Sequence, residues 1–554
     1  MFLFEGTATG IFNVGHTATD DRFGPVLLKV EPDEFGNFSV ILPSLSSSAD
    51  HYTFGVNSTL TTVTRLPDIL ETKTSFRYMF AFASKLVSIT GMPSTKRCTD
   101  TACMFMKCSS LVNFPEMDLG NVVNAVKMFA GCSSMTEAPW YDLSKVTNAM
   151  GLFGYEEGIG GCSSLVSLPR YDFSLCKNFS WMFYGCSSLE SLPDLDTSSG
   201  TNFGRMYRYC SKLPSIPDFD YRKGIYFNEF AASSGISYCP DLDTSNGTNF
   251  SGMFRYCNKL IHVPSLSLNL GTNFSYMFEN CTRLVDVPVM ETANGVTFEC
   301  MFHGCNSLTV LGGIDTSNGT MFNGMFSDCI FLAQIPHLQT SEGIYFNSMF
   351  YGCKNLEEIT DLDLSNAMNM SGMFDGCTKL KQVLLTEHGV PSPKNLSRAF
   401  CDCRSLAEIP WMDTSNVTSM YLCFRSCSKL VTIPAFDTSK CNDFFGFISG
   451  CDLLERLPKM NVSSVTTTQM IAGEGSSGNL TKLVDFGGFR GLKYTMNFKY
   501  MPNLSHESLL NILNEAGEAS EGAVMYFTQA QMDSLTEEEK SIATDKGWDI
   551  RTVS

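Results

Sequence analysis

A short motif recurs along most of this chain and strongly limits what the chain can fold into. The copy at residues 273–288 reads NFSYMFENCTRLVDVP. A Met-Phe pair is followed, after two variable residues, by Cys. Leu then stands three residues, an aliphatic residue six residues and Pro seven residues after that Cys. Most successive copies lie 24 residues apart. The position of the Cys, which we call the slot, is filled in order by Asn57, Ala83, Cys108, Cys132, Cys162, Cys186, Cys210, Ser233, Cys257, Cys281, Cys305, Cys329, Cys353, Cys377, Cys403, Cys427 and Cys451.

A repeat of this length predicts a solenoid, because each copy adds one coil to a stacked core. We therefore expect an α/β repeat solenoid of about 17 coils with a 24-residue period. The Asn-Phe-x-x-Met-Phe part predicts a short helix or 3₁₀ turn, since its apolar residues are three and four apart. The Leu-x-x-Ile-Pro part predicts a short β segment, in which Pro limits pairing. Asp-Thr-Ser-Asn-Gly, as at residues 315–319, predicts the corner.

The extent of the repeat predicts three segments. Residues 1–53 form an N-terminal β unit that caps the first coil or attaches the protein to a partner. Residues 54–490 form the solenoid, and residues 491–554 form a C-terminal α/β cap. In the first segment, Val26–Val30 and Phe38–Leu42 read as two strands around a Gly-Asn turn.

The last segment changes character and predicts regular elements. Ser505 can cap a helix through about Ala516, and residues 523–528 read as a strand. Thr536 and Glu539 form a capping-box sequence that opens a second helix. Trp548 begins a final strand.

Three stretches depart from the period. An insertion at residues 154–160 predicts a loop that leaves the stack. The copy between Cys377 and Cys403 loses its Pro and runs through residues 388–393, HGVPSP. A Gly/Ser-rich break lies at residues 473–478.

The chain contains 22 cysteines, of which 14 occupy the slot. A residue that recurs once per coil is a stacked core position, where free Cys behaves as a small buried hydrophobe. Ala83 and Ser233 at the same position favour a small-volume site over a bonding site. A ladder of disulfides is the alternative, but parallel side chains give poor bridging geometry. We therefore predict free thiols.

Charge and hydropathy exclude several classes of function. The net charge is −18, which argues against nonspecific binding to nucleic acid and against docking on an anionic membrane. No apolar run is long enough to cross a bilayer, so membrane insertion is not expected. The first residues, MFLFEG, have no basic region and only a short apolar run, unlike a Sec signal peptide.

Five aromatic residues near the Pro-to-Asp segment are candidates for a binding surface: Trp140, Tyr141, Tyr171, Tyr221 and Trp411. If they reach the surface, their rings could stack on glycans or contact partner proteins. The alternative is that they pack in the core.

Aspartates recur about ten residues after the slot. A column of carboxylates could bind Ca²⁺ or a cationic ligand, but corner capping through local backbone bonds is the favoured interpretation. These residues are Asp118, Asp142, Asp172, Asp196, Asp220, Asp243, Asp315, Asp363, Asp413 and Asp437.

Other chemistry finds little support in the sequence. The seven histidines include no HExxH pair. The spacing of Cys98, Cys103 and Cys108, and the pair Cys401 and Cys403, lack the further ligands that a structural zinc site needs. No nucleophile elbow or phosphate-binding loop is present. We predict a non-enzymatic protein without metal or cofactor.

The repeated pattern MFxxCxxLxxIPxxDTSN resembles the BspA-like leucine-rich repeat, also described as a DUF285 or surface-protein repeat, over roughly residues 54–490. The sequences LSHESLLNILNEAG and LTEEEKSIATDKGW resemble the ending common in such proteins from gut Bacteroidales bacteria and their phages. The resemblance implies a curved solenoid used for binding. Bacterial members adhere to host cells, matrix or glycans, and phage members have roles in the virion. The family offers no catalytic residues.

The resemblance and the opening residues together predict a virion component such as a tail, fibre or decoration protein. Its repeat face would bind a host receptor, a glycan or a neighbouring virion protein, and it could form a homo-oligomer. The alternative is a bacterial cell-surface adhesin that is exported by a non-Sec route.

Overall fold

A computed structural model of the chain describes residues 3–9, 12–17, 26–41, 51–54, 59–155, 158–385, 393–465 and 480–553. The chain divides into two compact units, Met1–Gly271 and Thr272–Ser554. Both consist mainly of leucine-rich-repeat coils, and the chain has about 19 turns in all. Asn57, the Gly/Ser-rich break at 473–478 and most of the stretch 388–393 lie outside the described residues.

The first unit opens with seven strands in two sheets. One sheet has the order β4-β1-β6-β7 and the other the order β3-β2-β5. β6 pairs antiparallel with β1 and parallel with β7, so this sheet continues into the first coils. The strands are β1 (Leu3–Ala8), β2 (Phe12–Thr17), β3 (Val26–Val30), β4 (Asn37–Ile41), β5 (His51–Phe54), β6 (Leu60–Arg65) and β7 (Ser88–Ile89).

The predicted hairpin between β3 and β4 is wrong, although both strands exist. β3 pairs with β2, and β4 pairs with β1. A tight turn does join them, because the Asp33 carboxylate accepts the N–H groups of Phe35 and Asn37 at 2.9 and 2.8 Å. The turn sequence was read correctly, but the choice of strand partner depends on residues far along the chain.

The Met-Phe part of each coil is not a helix. Its N–H groups at alternate residues donate to the next coil, as Phe80 does to Met104 at 2.9 Å, while i→i+3 bonds tighten the same segment. The backbone enters the left-handed region five residues and one residue before the slot, as at Tyr276 (φ 61°) and Asn280 (φ 57°). Because left-handed residues interrupt the right-handed backbone, the segment does not wind into a helix and instead bonds to the neighbouring coils.

Stacked phenylalanines fill the core of both units. In the second unit, one ring per coil lies three residues before the slot, and successive ring centroids are 5.4–5.7 Å apart. In the first unit, the corresponding rings from Phe80 to Tyr207 are 5.6–5.9 Å apart. Offset and parallel stacking adds to the hydrophobic stabilisation from burial.

Short parallel strands form the other side of the coil. In coils without a named strand, single residues five positions after the slot form parallel bridges to the next coil, as Glu137 does with Ser167. The Pro two residues later keeps most of these strands to two residues. An antiparallel pair, β8 (Gly154–Tyr155) and β9 (Gly160–Gly161), lies in the insertion. The parallel strands are β10 (Asp286–Val287), β11 (Val310–Leu311), β12 (Glu358–Leu362), β13 (Gln382–Leu385), β14 (Arg456–Leu457), β15 (Met460–Asn461), β16 (Asp485–Phe486) and β17 (Phe489–Arg490).

Two details correct the sequence-based alignment of the first unit. The insertion does not simply loop out, because β8 and β9 pair antiparallel and Ile159 packs with Met106 and Ala130.

The slot residue between Cys210 and Cys257 is Ser234 and not Ser233. Ser233 has a φ of 58°, as expected one residue before the slot, and Ser234 lies 3.7 Å from the Cys257 sulfur.

The predicted C-terminal elements are confirmed. Ser505 caps α1, and Thr536 and Glu539 form a capping box at α3. A short additional helix, α2, was not predicted, although Thr528 and Gln531 give it a capping box of its own. The elements are β18 (Met496–Asn497), α1 (His506–Glu515), β19 (Val524–Phe527), α2 (Gln529–Asp533), α3 (Glu537–Thr544) and β20 (Asp549–Thr552), with 3₁₀ turns at Asp68–Thr72 and Phe498–Tyr500.

Candidate binding surfaces

Three of the five candidate aromatic residues are buried. Tyr141, Tyr171 and Tyr221 are only 2–3% exposed. The Tyr141 hydroxyl donates to the carbonyl of Pro115 at 2.7 Å, and the Tyr171 hydroxyl donates to that of Pro139 at 2.5 Å. Both carbonyls belong to the preceding coil. The expectation that these three side chains reach the surface is therefore wrong, because their hydroxyls satisfy carbonyls within the stack.

Two candidates are exposed at equivalent positions. Trp140 is 68% exposed and Trp411 is 60% exposed. Each stands eight residues after a slot cysteine, Cys132 and Cys403 respectively. They belong to different units, so they define two separate aromatic sites.

Trp411 lies beside a groove of about 550 Å³ in the second unit. The buried Val383 and Ile409 contribute apolar surface, and Leu384 is 45% exposed. Polar groups come from Gln382 and Glu408. The complete lining is Lys381, Gln382, Val383, Leu384, Leu385, Ala407, Glu408, Ile409, Pro410 and Trp411.

The groove follows from a local change in the repeat. Leu384 stands where most coils carry Pro, so β13 extends over four residues and pairs with β12 across a register shift. At the edge of the groove, the Lys381 ammonium donates to the Glu357 carboxylate at 2.7 Å. A mainly apolar cleft with a few polar groups is the usual form of a ligand site.

The recurrent aspartates act as corner caps. In all ten, a carboxylate oxygen accepts the backbone N–H two residues later at 2.9–3.3 Å. The Thr that follows several of them ties the coils together, as when the Thr316 hydroxyl donates to the Gln339 carbonyl at 2.7 Å. The interpretation as corner caps is confirmed, and these bonds explain the column without a bound cation.

These caps make stability depend on pH. Hydrogen bonds from Ser144 and Ser198 lower the pKa of Asp142 and of Asp196 in the folded protein. A carboxyl whose pKa is lower when folded stabilises the fold above its unfolded pKa of about 3.9, and this contribution disappears as the pH falls below that value. We expect the midpoint temperature of thermal unfolding to decrease when the pH is lowered from 5 to 3. The decrease should be smaller in the double variant Asp142→Asn, Asp196→Asn. A midpoint that is unchanged or higher at pH 3 would contradict this account.

The slot cysteines are buried packing residues. Most of their thiols donate to a Phe carbonyl of the preceding coil, for example Cys329 to Phe302 at 3.2 Å and Cys353 to Phe326 at 3.0 Å, and the Cys257 thiol donates to the Ala231 carbonyl. All 22 cysteines are free thiols. Burial raises the pKa of Cys186 and of Cys257 to about 12. These thiols are therefore weak nucleophiles and weak metal ligands.

One cluster of potential metal ligands occurs in the described part of the chain: Asp375, Cys401 and Asp402. The Asp375 carboxylate already accepts a hydrogen bond from Arg398 at 2.6 Å, and the Asp402 carboxylate pairs with Arg404 at 3.0 Å. Cys403 does not join the cluster, since its thiol donates to the Phe374 carbonyl. The two arginines neutralise the carboxylates, so this group is explained as an ion-pair network.

The fold and the recurring turns, caps and slots define a leucine-rich-repeat solenoid of the kind that presents a surface for binding. The sequence matches the family described as "Mycoplasma protein of unknown function, DUF285" at residues 74–164, 124–234, 160–287, 227–309 and 272–387. It also matches the "BspA type Leucine rich repeat region" at residues 344–449. The matches to the first of these families together span residues 74–387, more than half of the chain, so the chain belongs to the DUF285 family.

Solved structures with similar folds include three bacterial proteins. A leucine-rich repeat protein from Bacteroides ovatus is 15% identical, with 91% of this chain and 95% of that chain covered and a TM-score of 0.30. A leucine-rich cell surface protein from Faecalibacterium prausnitzii is 18% identical over 59% and 83%, with a TM-score of 0.28. The functional domain of InlJ from Listeria monocytogenes, which includes a cysteine ladder, is 11% identical over 80% and 75%, with a TM-score of 0.19. At these TM-scores the family assignment depends on the repeat matches alone.

No curated protein matches the sequence significantly. Among the helices of the described residues, none has both the length and the apolar character of a membrane span.

Proposed function

We propose that this protein is a binding protein of the bacterial cell surface and that the groove at Trp411 holds its ligand. The observation that carries the proposal is a 60%-exposed Trp at the edge of a cleft of about 550 Å³. Exposed Trp is costly to maintain in water and is enriched where proteins bind partners. The location is supported by the BspA-type family, whose members are typically found at the cell surface.

The groove favours a ligand with both an apolar face and hydrogen-bonding groups. Trp411 and Leu384 offer apolar surface, while Gln382 and Glu408 offer an amide and a carboxylate. A sugar ring or an aromatic or aliphatic side chain of a host protein fits this combination. Binding without chemical conversion is proposed, because Glu408 is the one carboxylate among the described residues that line the groove, whereas glycoside hydrolysis requires a facing pair.

Trp411→Ala is expected to weaken binding at the groove by tenfold or more, because truncating a Trp at the centre of a contact commonly costs about 2 kcal/mol or more. The probes are intact epithelial cells, immobilised matrix proteins and a glycan array. Trp140→Ala is the matched control, since Trp140 occupies the same repeat position in the other unit and is equally exposed. The thermal midpoint should be unchanged in both variants.

Equal losses in the two variants, or full binding by Trp411→Ala, would contradict the proposed site. Location is tested separately. Antibody labelling of intact, phage-free cells supports display on the bacterial surface, whereas recovery only from purified phage particles places the protein in the virion.

A further inference from the structure

A strip of cationic and aromatic side chains follows the turns of the first unit. We call this the turn strip; it consists of Lys107, Lys127, Trp181, Arg205, Arg208 and Tyr209. All six stand five, two or one residues before a slot cysteine, on the outer edge of the coils.

Several side chains of the strip are linked, either directly or through Tyr155. The Lys127 ammonium lies 3.4 Å from the ring centroid of Tyr155, and that ring lies 4.9 Å from the ring of Trp181. The Arg205 guanidinium lies 4.4 Å from the Trp181 ring centroid. Arg208 lies 4.9 Å from the ring centroid of Tyr209. The contacts hold the cations in a row along the edge of the coils.

The charge of the strip is opposite to that of the protein. The whole chain carries −18, yet among the described residues these repeat positions of the first unit carry five cations, the four of the strip and Arg255, against one acid, Glu229. In the second unit these positions carry two cations, Arg398 and Arg425, against four acids. The acids are Glu279, Asp328, Asp375 and Asp402. The basic character therefore belongs to the first unit and not to the repeat.

Four residues of the strip lie on left-handed backbone. Lys107, Lys127, Trp181 and Arg205 have φ values of 63°, 55°, 63° and 59°. Glycine is the residue that tolerates this region, and other coils do use it there, for example Gly324 five residues before its slot. Other coils also place non-glycine residues in this region, for example Cys103 and Tyr276, so the strip uses the ordinary turn of the repeat and differs from other coils in the charge that it displays.

We infer that the turn strip binds an acidic polysaccharide, through carboxylate or sulfate groups carried along an extended sugar chain. Glu229 shows how an anion fits, since its carboxylate accepts hydrogen bonds from both Arg205 and Arg208. Because Glu229 already pairs with the two arginines, the ammonium groups of Lys107 and Lys127 are the groups that would bind the polysaccharide anions. Guanidinium and ammonium groups are the preferred donors to such anions. This is a second binding activity, on a different unit from the Trp411 groove.

Two features favour a polysaccharide over other polyanions. The Trp181 ring is covered by Tyr155 and Arg205, which leaves little free face for the base stacking that single-stranded nucleic acid uses. An acidic peptide could not add as a strand, because the N–H groups of Lys107, Lys127 and Arg205 already donate to the next coil. Recognition is therefore confined to side chains.

Retention on immobilised heparin and on polygalacturonate tests the inference with the full-length protein. The wild type should bind both at low salt, release with increasing salt, and not bind neutral dextran. Lys107→Gln, Lys127→Gln should bind about tenfold more weakly. The matched control is Lys212→Gln, Lys259→Gln, which removes the same charge from exposed positions off the strip and should bind as the wild type does. Unchanged thermal midpoints establish that all variants are folded.

Three results would overturn the inference: no retention of the wild type on either polymer, equal weakening in the strip and control variants, or tighter binding to polyglutamate or single-stranded DNA. Trp411→Ala should leave polysaccharide binding unchanged. Failure at the strip is thereby distinguished from failure at the groove.

Discussion

Replacing Phe326 by Ala is expected to lower the free energy of unfolding by about 3–5 kcal/mol. Phe326 is fully buried, with the rings of Phe302 and Phe350 at 5.7 and 5.6 Å on either side. Removing the ring loses its burial and leaves a cavity between two coils, which the ladder of backbone hydrogen bonds prevents from closing. Urea denaturation of the full-length chain, followed by circular dichroism, measures the effect.

Phe331→Ala is the matched control from the same coil. Phe331 is 55% exposed, and its truncation should change the free energy of unfolding by no more than about 0.5 kcal/mol. Similar losses in the two variants would show that the column of rings is not the main source of stability. In a stack whose coils contact only their neighbours, the Phe326 variant should also broaden the unfolding transition.

The parts of the fold that could be read from the sequence are those that depend on residues close together or one period apart. The slot, the Asp corners and the helix caps of the last sixty residues are of this kind, since each is set by a local hydrogen bond or by volume at a recurring position. The misplacement of the slot at Ser233 shows the limit. Where the Met-Phe pair is absent, the period alone leaves an uncertainty of one residue, and only the backbone conformation at Ser233 and the packing of Ser234 resolve it.

The turn geometry was missed because it contradicts local propensity. Apolar spacing of three and four residues predicts a short helix or 3₁₀ turn. The i→i+3 bonds agree with a turn, but bonding to the neighbouring coils imposes left-handed backbone on residues such as Tyr276 and Cys300. A signal was present in the sequence. Gly recurs at the same two positions in several copies, as at Gly252 and Gly304, and recurring Gly indicates positive φ.

Only two of the five candidate binding residues are exposed, for a related reason. Trp140 and Tyr141 are neighbours, yet one is 68% and the other 3% exposed. Alternation of side chains along extended backbone separates them, and the same alternation places Trp411 outside and Met412 inside. If this alternation is continued past the Pro seven residues after the slot, it places Tyr141 and Tyr171 in the core and excludes them as surface residues. The groove at Trp411 and the turn strip could not be predicted, since each joins side chains from different coils.

Native protein at neutral pH is expected to react rapidly with a thiol reagent at about one cysteine, Cys300, whereas the unfolded chain should titrate 22 without reductant. Cys300 is half-buried and the other cysteines are buried. Burial both blocks access and raises the thiol pKa, to about 12 for Cys186. Relative to an ordinary thiol, a pKa this high reduces the reactive thiolate on the order of a thousandfold.

Cys300→Ser should abolish the fast reaction and leave the slow one unchanged. Fewer than 22 thiols in the unfolded, unreduced chain would instead demonstrate bridges, and the slot would then be a bonding site and not the packing site that its hydrogen bonds to Phe carbonyls indicate.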